Sequence, residues 1–178
     1  MVLTPQNLTS RLEHQTLFLD TNVFSVAYRY SELVDFLDDL RNHDCALVTI
    51  PSVEFEVTRG SSSLTIFNAR AKALKKLITY IDPMLFIDDV DDFSVVMANL
   101  QKPEKSQYTD FLLAACLYQF RTSKPRLMTS DIASMPPSIF DREFVVTSEN
   151  HNEIINYGIF SLNDANYEKA AAALLSRE

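Results

Sequence analysis

Four acidic residues stand where an α/β chain with a parallel sheet would bring side chains to one edge. Asp20 follows the apolar run Leu17-Phe18-Leu19, and Asp131 follows Leu127-Met128-Thr129 with only Ser130 between. Asp110 lies early in Ser106 to Phe120, a segment otherwise apolar nearly all round, where a charge needs a cleft to face. Glu56 sits on the helix expected after the second strand, within reach of the same edge. Ligands of open parallel sheets bind beyond the carboxyl ends of the strands, so these acids can share one crevice. Clustered carboxylates repel one another and burial raises the cost, so such a group takes up protons or binds cations. No histidine or cysteine adjoins them in sequence, and an all-oxygen donor set favours a hard ion such as Mg²⁺ or Mn²⁺. A metal in such a site lowers the pKa of bound water and neutralises charge developing on a phosphodiester, which is the chemistry of a phosphoryl-transfer nuclease.

The elements that must position these acids read as alternating strands and helices, a pattern that predicts a mainly parallel sheet. Strands are expected at Thr16 to Leu19, Ala46 to Ile50, Met84 to Ile87, Arg126 to Thr129 and Phe144 to Thr147, with a further one at Tyr157 to Leu162. Helical spacing marks Ser31 to Asn42, with Ser31 as N-cap, and Pro51 to about Arg59, with Gly60 just past its end. Ser63 to Tyr80 reads as an amphipathic helix burying Leu64, Phe67, Ala71, Leu74 and Ile78, with Lys72 and Lys76 on the opposite face. Further helices are expected near Val90 to Leu100, at Ser106 to Phe120 and from about Asn163. Nothing marks a domain boundary, so residues 1–178 read as one domain with a core of about 16–147 and an extension of about 148–178.

Composition removes several alternatives. With only 2 glycines the chain contains neither G-x-G-x-x-G nor G-x-x-x-x-G-K-[ST], so the common nucleotide-binding loops are excluded. Cys45 and Cys116 form no C-x-x-C pair and read as buried thiols of a reducing compartment, and the three histidines are scattered. No basic-then-apolar leader and no membrane-length apolar run is present, which gives a cytoplasmic expectation. Net charge is −8, against nucleic acid in the sum, but charge is segregated. Val57 to Ile81 carries Arg59, Arg70, Lys72, Lys75 and Lys76 without an acid, and Tyr118 to Ser130 carries Arg121, Lys124 and Arg126 likewise.

Four segments resemble the sequence boxes of PIN domains. Leu19-Asp20-Thr21-Asn22 resembles the opening strand that ends in L-D-T-N. Ser52 to Gly60 resembles the second box, in which an acid precedes glycine by four residues, a register that selects Glu56 over Glu54. Asp110 to Leu117 resembles D-x-x-I-A-A-x-A, and Leu127 to Asp131 resembles a strand followed by T-x-D. Ser134 and Met135 stand where the family's fourth box carries a further acid and a phenylalanine. The resemblance implies a three-layer α/β/α fold and a metal-dependent endoribonuclease leaving 5′-phosphate and 3′-hydroxyl ends. Asp20, Glu56, Asp110 and Asp131 would hold the metal, with Thr21, Asn22 and Thr129 as their polar supports. Many bacterial members resemble VapC toxins, which adds an antitoxin partner and a homodimer to the expectations.

Plainer readings compete. Asp20-Thr21-Asn22 can be a helix cap, Asp110 can cap its own helix with Thr109, and Asp131 can be a turn residue. Asp88, Asp89, Asp91 and Asp92 favour a helix N-terminus over a metal cluster. Tyr28 and Tyr30 can stack on bases but pack by default. Two other functions stand beside the nuclease. One is a non-catalytic PIN-like module binding RNA or protein. The other is a haloacid-dehalogenase-like phosphatase with Asp20 as nucleophile, a family that wants an aspartate where Asn22 stands.

Overall fold

The structure, a computed structural model, describes residues 5–27, 29–82, 90–100, 107–150 and 153–175. The chain opens with α1 (Pro5–Leu12), then β1 (Thr16–Leu19), α2 (Thr21–Ala27), α3 (Ser31–Asn42) and β2 (Ala46–Thr49). There follow α4 (Pro51–Thr58), α5 (Leu64–Leu77), β3 (Tyr80–Ile81), α6 (Val90–Leu100) and α7 (Tyr108–Gln119). The chain ends in β4 (Arg126–Thr129), β5 (Phe140–Asn150), β6 (Glu153–Leu162) and α8 (Asp164–Leu175).

The fold is α/β around a six-stranded mixed sheet in the order β3-β2-β1-β4-β6-β5. β3, β2, β1 and β4 run parallel, while β6 is antiparallel to β4 and pairs with β5 as a long hairpin. Leu17, Phe18 and Leu19 are all buried, as are Leu47, Val48 and Thr49. Strands buried on both faces lose the polar–apolar alternation, which is why these short apolar runs were readable as parallel strands. The chain moves from β1 outward to β2 and β3, then returns to place β4 on the other side of β1. Such a reversal is where open α/β sheets bind their ligands, beyond the carboxyl ends of the strands, here those of β1 and β4.

The helices pack in two groups: α1, α2, α4 and α5 join through contacts with one another and with α3, and α6 contacts both α7 and α8. α7 is the most deeply buried helix, with Leu113, Ala114, Ala115, Cys116 and Leu117 inaccessible, as its apolar sequence requires. Pro51 opens α4, and Gly60 takes a φ of +70° just beyond its end, a left-handed conformation that costs glycine little. Ser63 caps α5 by accepting the Ile66 N–H at 3.3 Å.

Several expectations need correction. Tyr30, not Ser31, occupies the N-cap of α3, without a side-chain cap bond. The expected helix to Tyr80 ends at Leu77, because Tyr80 and Ile81 join the sheet beside β2. The strand expected at Met84 to Ile87 lies outside the described residues. Leu64 and Phe67 are 73% and 43% exposed, so only the Leu74 end of the α5 apolar face is covered. The leading segment contains α1, whose Leu8 and Leu12 are buried and whose Thr9 hydroxyl donates to Asp39 on α3 at 2.7 Å. Tyr30 is buried and Tyr28 lies outside the described residues, as do Asp88 and Asp89; Asp91 and Asp92 begin α6. Among the described residues no helix is long and apolar enough to cross a membrane.

Candidate metal centre

Each acid owes its place to a different connection. Asp20 is the residue after β1, and its N–H donates to the Met128 carbonyl of β4 at 3.2 Å, pinning it to the end of that strand. Asp131 follows β4 by one residue. Glu56 projects from α4, the helix after β2, and Asp110 from the first turn of α7, the helix that leads into β4. Asp20 and Asp110 are 4% and 6% exposed, unusual burial for carboxylates without a cationic partner.

A network of hydroxyls, amides and backbone N–H groups holds them. The Thr129 hydroxyl donates to Asp20 Oδ2 at 2.7 Å, the Asn22 amide donates to the same oxygen, and the Thr21 N–H donates to Oδ1 at 2.5 Å. Asn22 also accepts the Ser130 N–H at 2.9 Å, tying the end of β4 to the start of α2. Glu56 receives the Thr21 hydroxyl on Oε2 and the Thr109 hydroxyl on Oε1, each at 2.5 Å. Asp110 accepts the Gln107 N–H at 3.0 Å, so it does cap its own helix. The backbone N–H of Asp131 donates to Thr129 Oγ1 at 2.9 Å, and its carbonyl accepts the Ser134 hydroxyl at 2.8 Å.

Electrostatics join the four. Burial pushes the Asp110 carboxyl up to about 7, the Gln107 N–H opposes this, and the charges of Asp20, Asp131 and Glu56 add to it. Burial likewise raises Asp20, against hydrogen bonds from Thr129 and Thr21 that lower it and with the charges of Glu56 and Asp131 adding. Among the described residues no lysine or arginine pairs with any of the four. Glu54 differs: its carboxylate lies 3.5 Å from Lys75 Nζ, so the structure separates it from Glu56.

Thr21, Asn22 and Thr129 all take part in this network, and Thr109 is the participant that sequence reasoning did not single out for it. Its only signal in the sequence was adjacency to Asp110, and its partner is 53 positions away. As placed, no three acids, histidines or cysteines among the described residues are close enough together to hold one ion. The acids share a field, Asp20 and Asp110 each feeling the charges of Glu56 and Asp131, without a closed coordination shell. No protein-family model, curated protein or solved structure matches this chain.

Proposed function

We propose that the chain is a metal-dependent endoribonuclease of PIN-like architecture, with Asp20, Glu56, Asp110 and Asp131 as its acidic centre. The observation that carries this reading is the burial of Asp20 and Asp110 at a sheet reversal with no cation beside them. Stacking acids there without a partner is costly in the isolated fold, and a divalent cation offsets that cost. The fit is one of donor chemistry: four carboxylates and several hydroxyls suit Mg²⁺ or Mn²⁺. Such an ion, when bound, supplies an activated water and charge neutralisation at the phosphodiester. The chain's own residues orient: Thr129 and Asn22 fix the Asp20 carboxylate, while Thr21 and Thr109 fix both oxygens of Glu56. A three-layer arrangement follows if both returns are right-handed, since β1 to β3 and β3 to β4 then carry their helices on opposite faces.

A PIN-like module that binds RNA or protein without cutting is favoured by one observation, the absence of three preassembled ligands among the described residues. The phosphatase reading is weakened by Asp20 itself, both of whose oxygens are engaged by hydrogen bonds. Homodimerisation and an antitoxin partner belong to the same proposal and rest on the resemblance.

The deciding experiment is cleavage of a panel of RNAs in Mg²⁺ or Mn²⁺ by wild type, Asp20→Asn, Asp110→Asn and Thr109→Val. Both Asn variants should lose more activity than the roughly 10–100-fold typical of groups that only orient a ligand, and Thr109→Val should fall within that range. Unimpaired cutting by the Asn variants sinks the site. No cutting by wild type on any RNA with either metal favours the binding module.

A further inference from the structure

The second acid-free basic stretch of the chain, Tyr118 to Ser130, has cations that take no part in the proposed cleavage. All three of them, Arg121, Lys124 and Arg126, line one cavity of about 210 Å³ at the amino end of β4, the end away from Asp131. Leu117 and Pro125, both buried, belong to the same lining, and Glu143 is its only acid among the described residues.

Basic residues just past a helix are ordinary, because they complement its carbonyl end. Here the carbonyl end of α7 takes only part of what is offered. Arg121 Nη1 donates to the Tyr118 carbonyl at 3.0 Å, and its guanidinium lies 4.3 Å from the centre of the Tyr118 ring. The carbonyl and the π face hold the guanidinium in place without cancelling its charge. It carries more N–H groups than one carbonyl can take, so donors remain for another acceptor. Arg126 is committed: Nε donates to Glu143 at 2.9 Å, and Nη1 to the Gln15 side chain at 2.9 Å and the Lys124 carbonyl at 3.1 Å. That last bond fastens the Lys124 backbone, which takes a φ of +51°, a left-handed conformation uncommon outside glycine. The Lys124 ammonium has no hydrogen bond or ion pair among the described residues.

One carboxylate thus stands against three cations in a concave site, on a chain whose net charge is −8. A phosphate monoester, with about −1.5 to −2 charges at pH 7, matches that positive excess better than a carboxylate does. It also matches better than RNA, whose backbone carries a single charge at each phosphate. A guanidinium meets phosphate oxygens through paired N–H groups, and an ammonium meets them as a point charge. The apolar residues of the lining favour an organic group on the phosphate over the bare ion.

We propose that this cavity binds a small phosphate monoester, with the phosphate held by Arg121 and Lys124 and the organic part against Leu117 and Pro125. The site stands at the other end of β4 from the acids and needs no metal.

Phenyl phosphate, inorganic phosphate, benzoate and a short single-stranded RNA are titrated into the full chain by calorimetry. Chelator is present throughout, so that no metal bridges a phosphate to the acids. Wild type is compared with Lys124→Asn, Arg121→Gln and Lys124→Arg. Asparagine removes the charge and tolerates the left-handed backbone, so a loss of binding there is not a loss of fold. Phenyl phosphate should bind wild type at least about tenfold more tightly than inorganic phosphate or benzoate. Lys124→Asn and Arg121→Gln should each weaken it about tenfold, the scale of one charge-assisted hydrogen bond, and Lys124→Arg should retain it. Failure of phenyl phosphate to bind overturns the proposal, as does unchanged affinity in the two neutral variants. Benzoate binding as tightly would reduce the cavity to general anion attraction, and inorganic phosphate binding as tightly would leave an adventitious ion only; either result also overturns it. RNA that binds more tightly than phenyl phosphate and loses affinity in Lys124→Asn would assign the cations to a polymer, and the proposal falls.

Discussion

The two ends of β4 treat charge in opposite ways. At its amino end Arg126 donates to Glu143 at 2.9 Å and to the Gln15 side chain at 2.9 Å, and Arg121 lies over the Tyr118 ring while donating to the Tyr118 carbonyl. Positive charge is matched there by a carboxylate, a π face and the carbonyl end of α7. At its carboxyl end, only a few residues on, the Asp20 and Glu56 carboxylates are held by hydroxyls and amides, with no described cation paired to them. A charge that serves the fold is paired within the fold. Buried acids left without such a partner have their carboxyls pushed up, and perturbed acids of this kind are candidates for functional sites.

The sharpest way to break this comparison is at the amino end. Arg126→Ala removes a largely buried guanidinium and its bonds to Glu143, the Gln15 side chain and the Lys124 carbonyl, and should cost about 1–3 kcal/mol in denaturant unfolding, with RNA cleavage per folded molecule unchanged. A loss below the error of the measurement would show that the paired end is not structural.

The carboxyl end should behave in the reverse sense. In chelator, Asp110→Asn keeps an oxygen for the Gln107 N–H while removing a charge, and should raise stability at pH 8 by about 1 kcal/mol, or roughly 2–4 °C in Tm. The pH dependence follows from its proton. The unfolded chain releases it near 3.8, whereas the native state keeps it to about 7. At Asp110 the native state therefore binds more protons in that window, so the contribution of Asp110 to stability should fall as pH rises from 3.8 to about 7 and level off above, read as the difference between wild type and Asp110→Asn. Asp110→Asn should lack that fall, and Mn²⁺ should stabilise wild type more than the variant. Thermal melts across pH with and without Mn²⁺ decide this; identical curves for the two proteins would remove Asp110 from the site.

The smallest effect is expected at Glu54→Gln, which breaks a largely solvent-exposed pair with Lys75. It should change stability by under about 1 kcal/mol and leave cleavage intact, in contrast to Glu56 two residues later. Loss of cleavage in Glu54→Gln would reverse the choice between the two glutamates.

That these acids lie near enough to feel one another's charge was legible in the sequence because the markers are local. Asp20 and Asp131 end short apolar runs, and Asp110 is a charge in an apolar helix. Glu56 was preferred to Glu54 by resemblance, and the Lys75 pairing now gives that choice a structural reason. Thr109 was not legible, since its bond to Glu56 crosses 53 positions and leaves no periodic trace. The hairpin shows another limit. Phe140 and Phe144 are both buried, yet the pairing shifts between Arg142 and Phe144, which leaves Glu143 as the extra residue. A bulge resets the two-residue alternation, so the strand could be read only from Phe144 onward. On α5 the helical period located an apolar face but could not say which half of it would be covered, and Leu64 and Phe67 remain in solvent.

Cys45 and Cys116, the only two cysteines of the chain, are buried and unpaired, with thiols pushed up to about 12 by burial. Thiolate is the reactive form, so neither competes for an alkylating or cross-linking reagent at neutral pH. The protein is therefore already a blank background for chemical labelling. A single cysteine placed at the exposed 55 or 108 position would be the sole site of attachment for a photo-crosslinker or a spin label, without prior removal of native thiols.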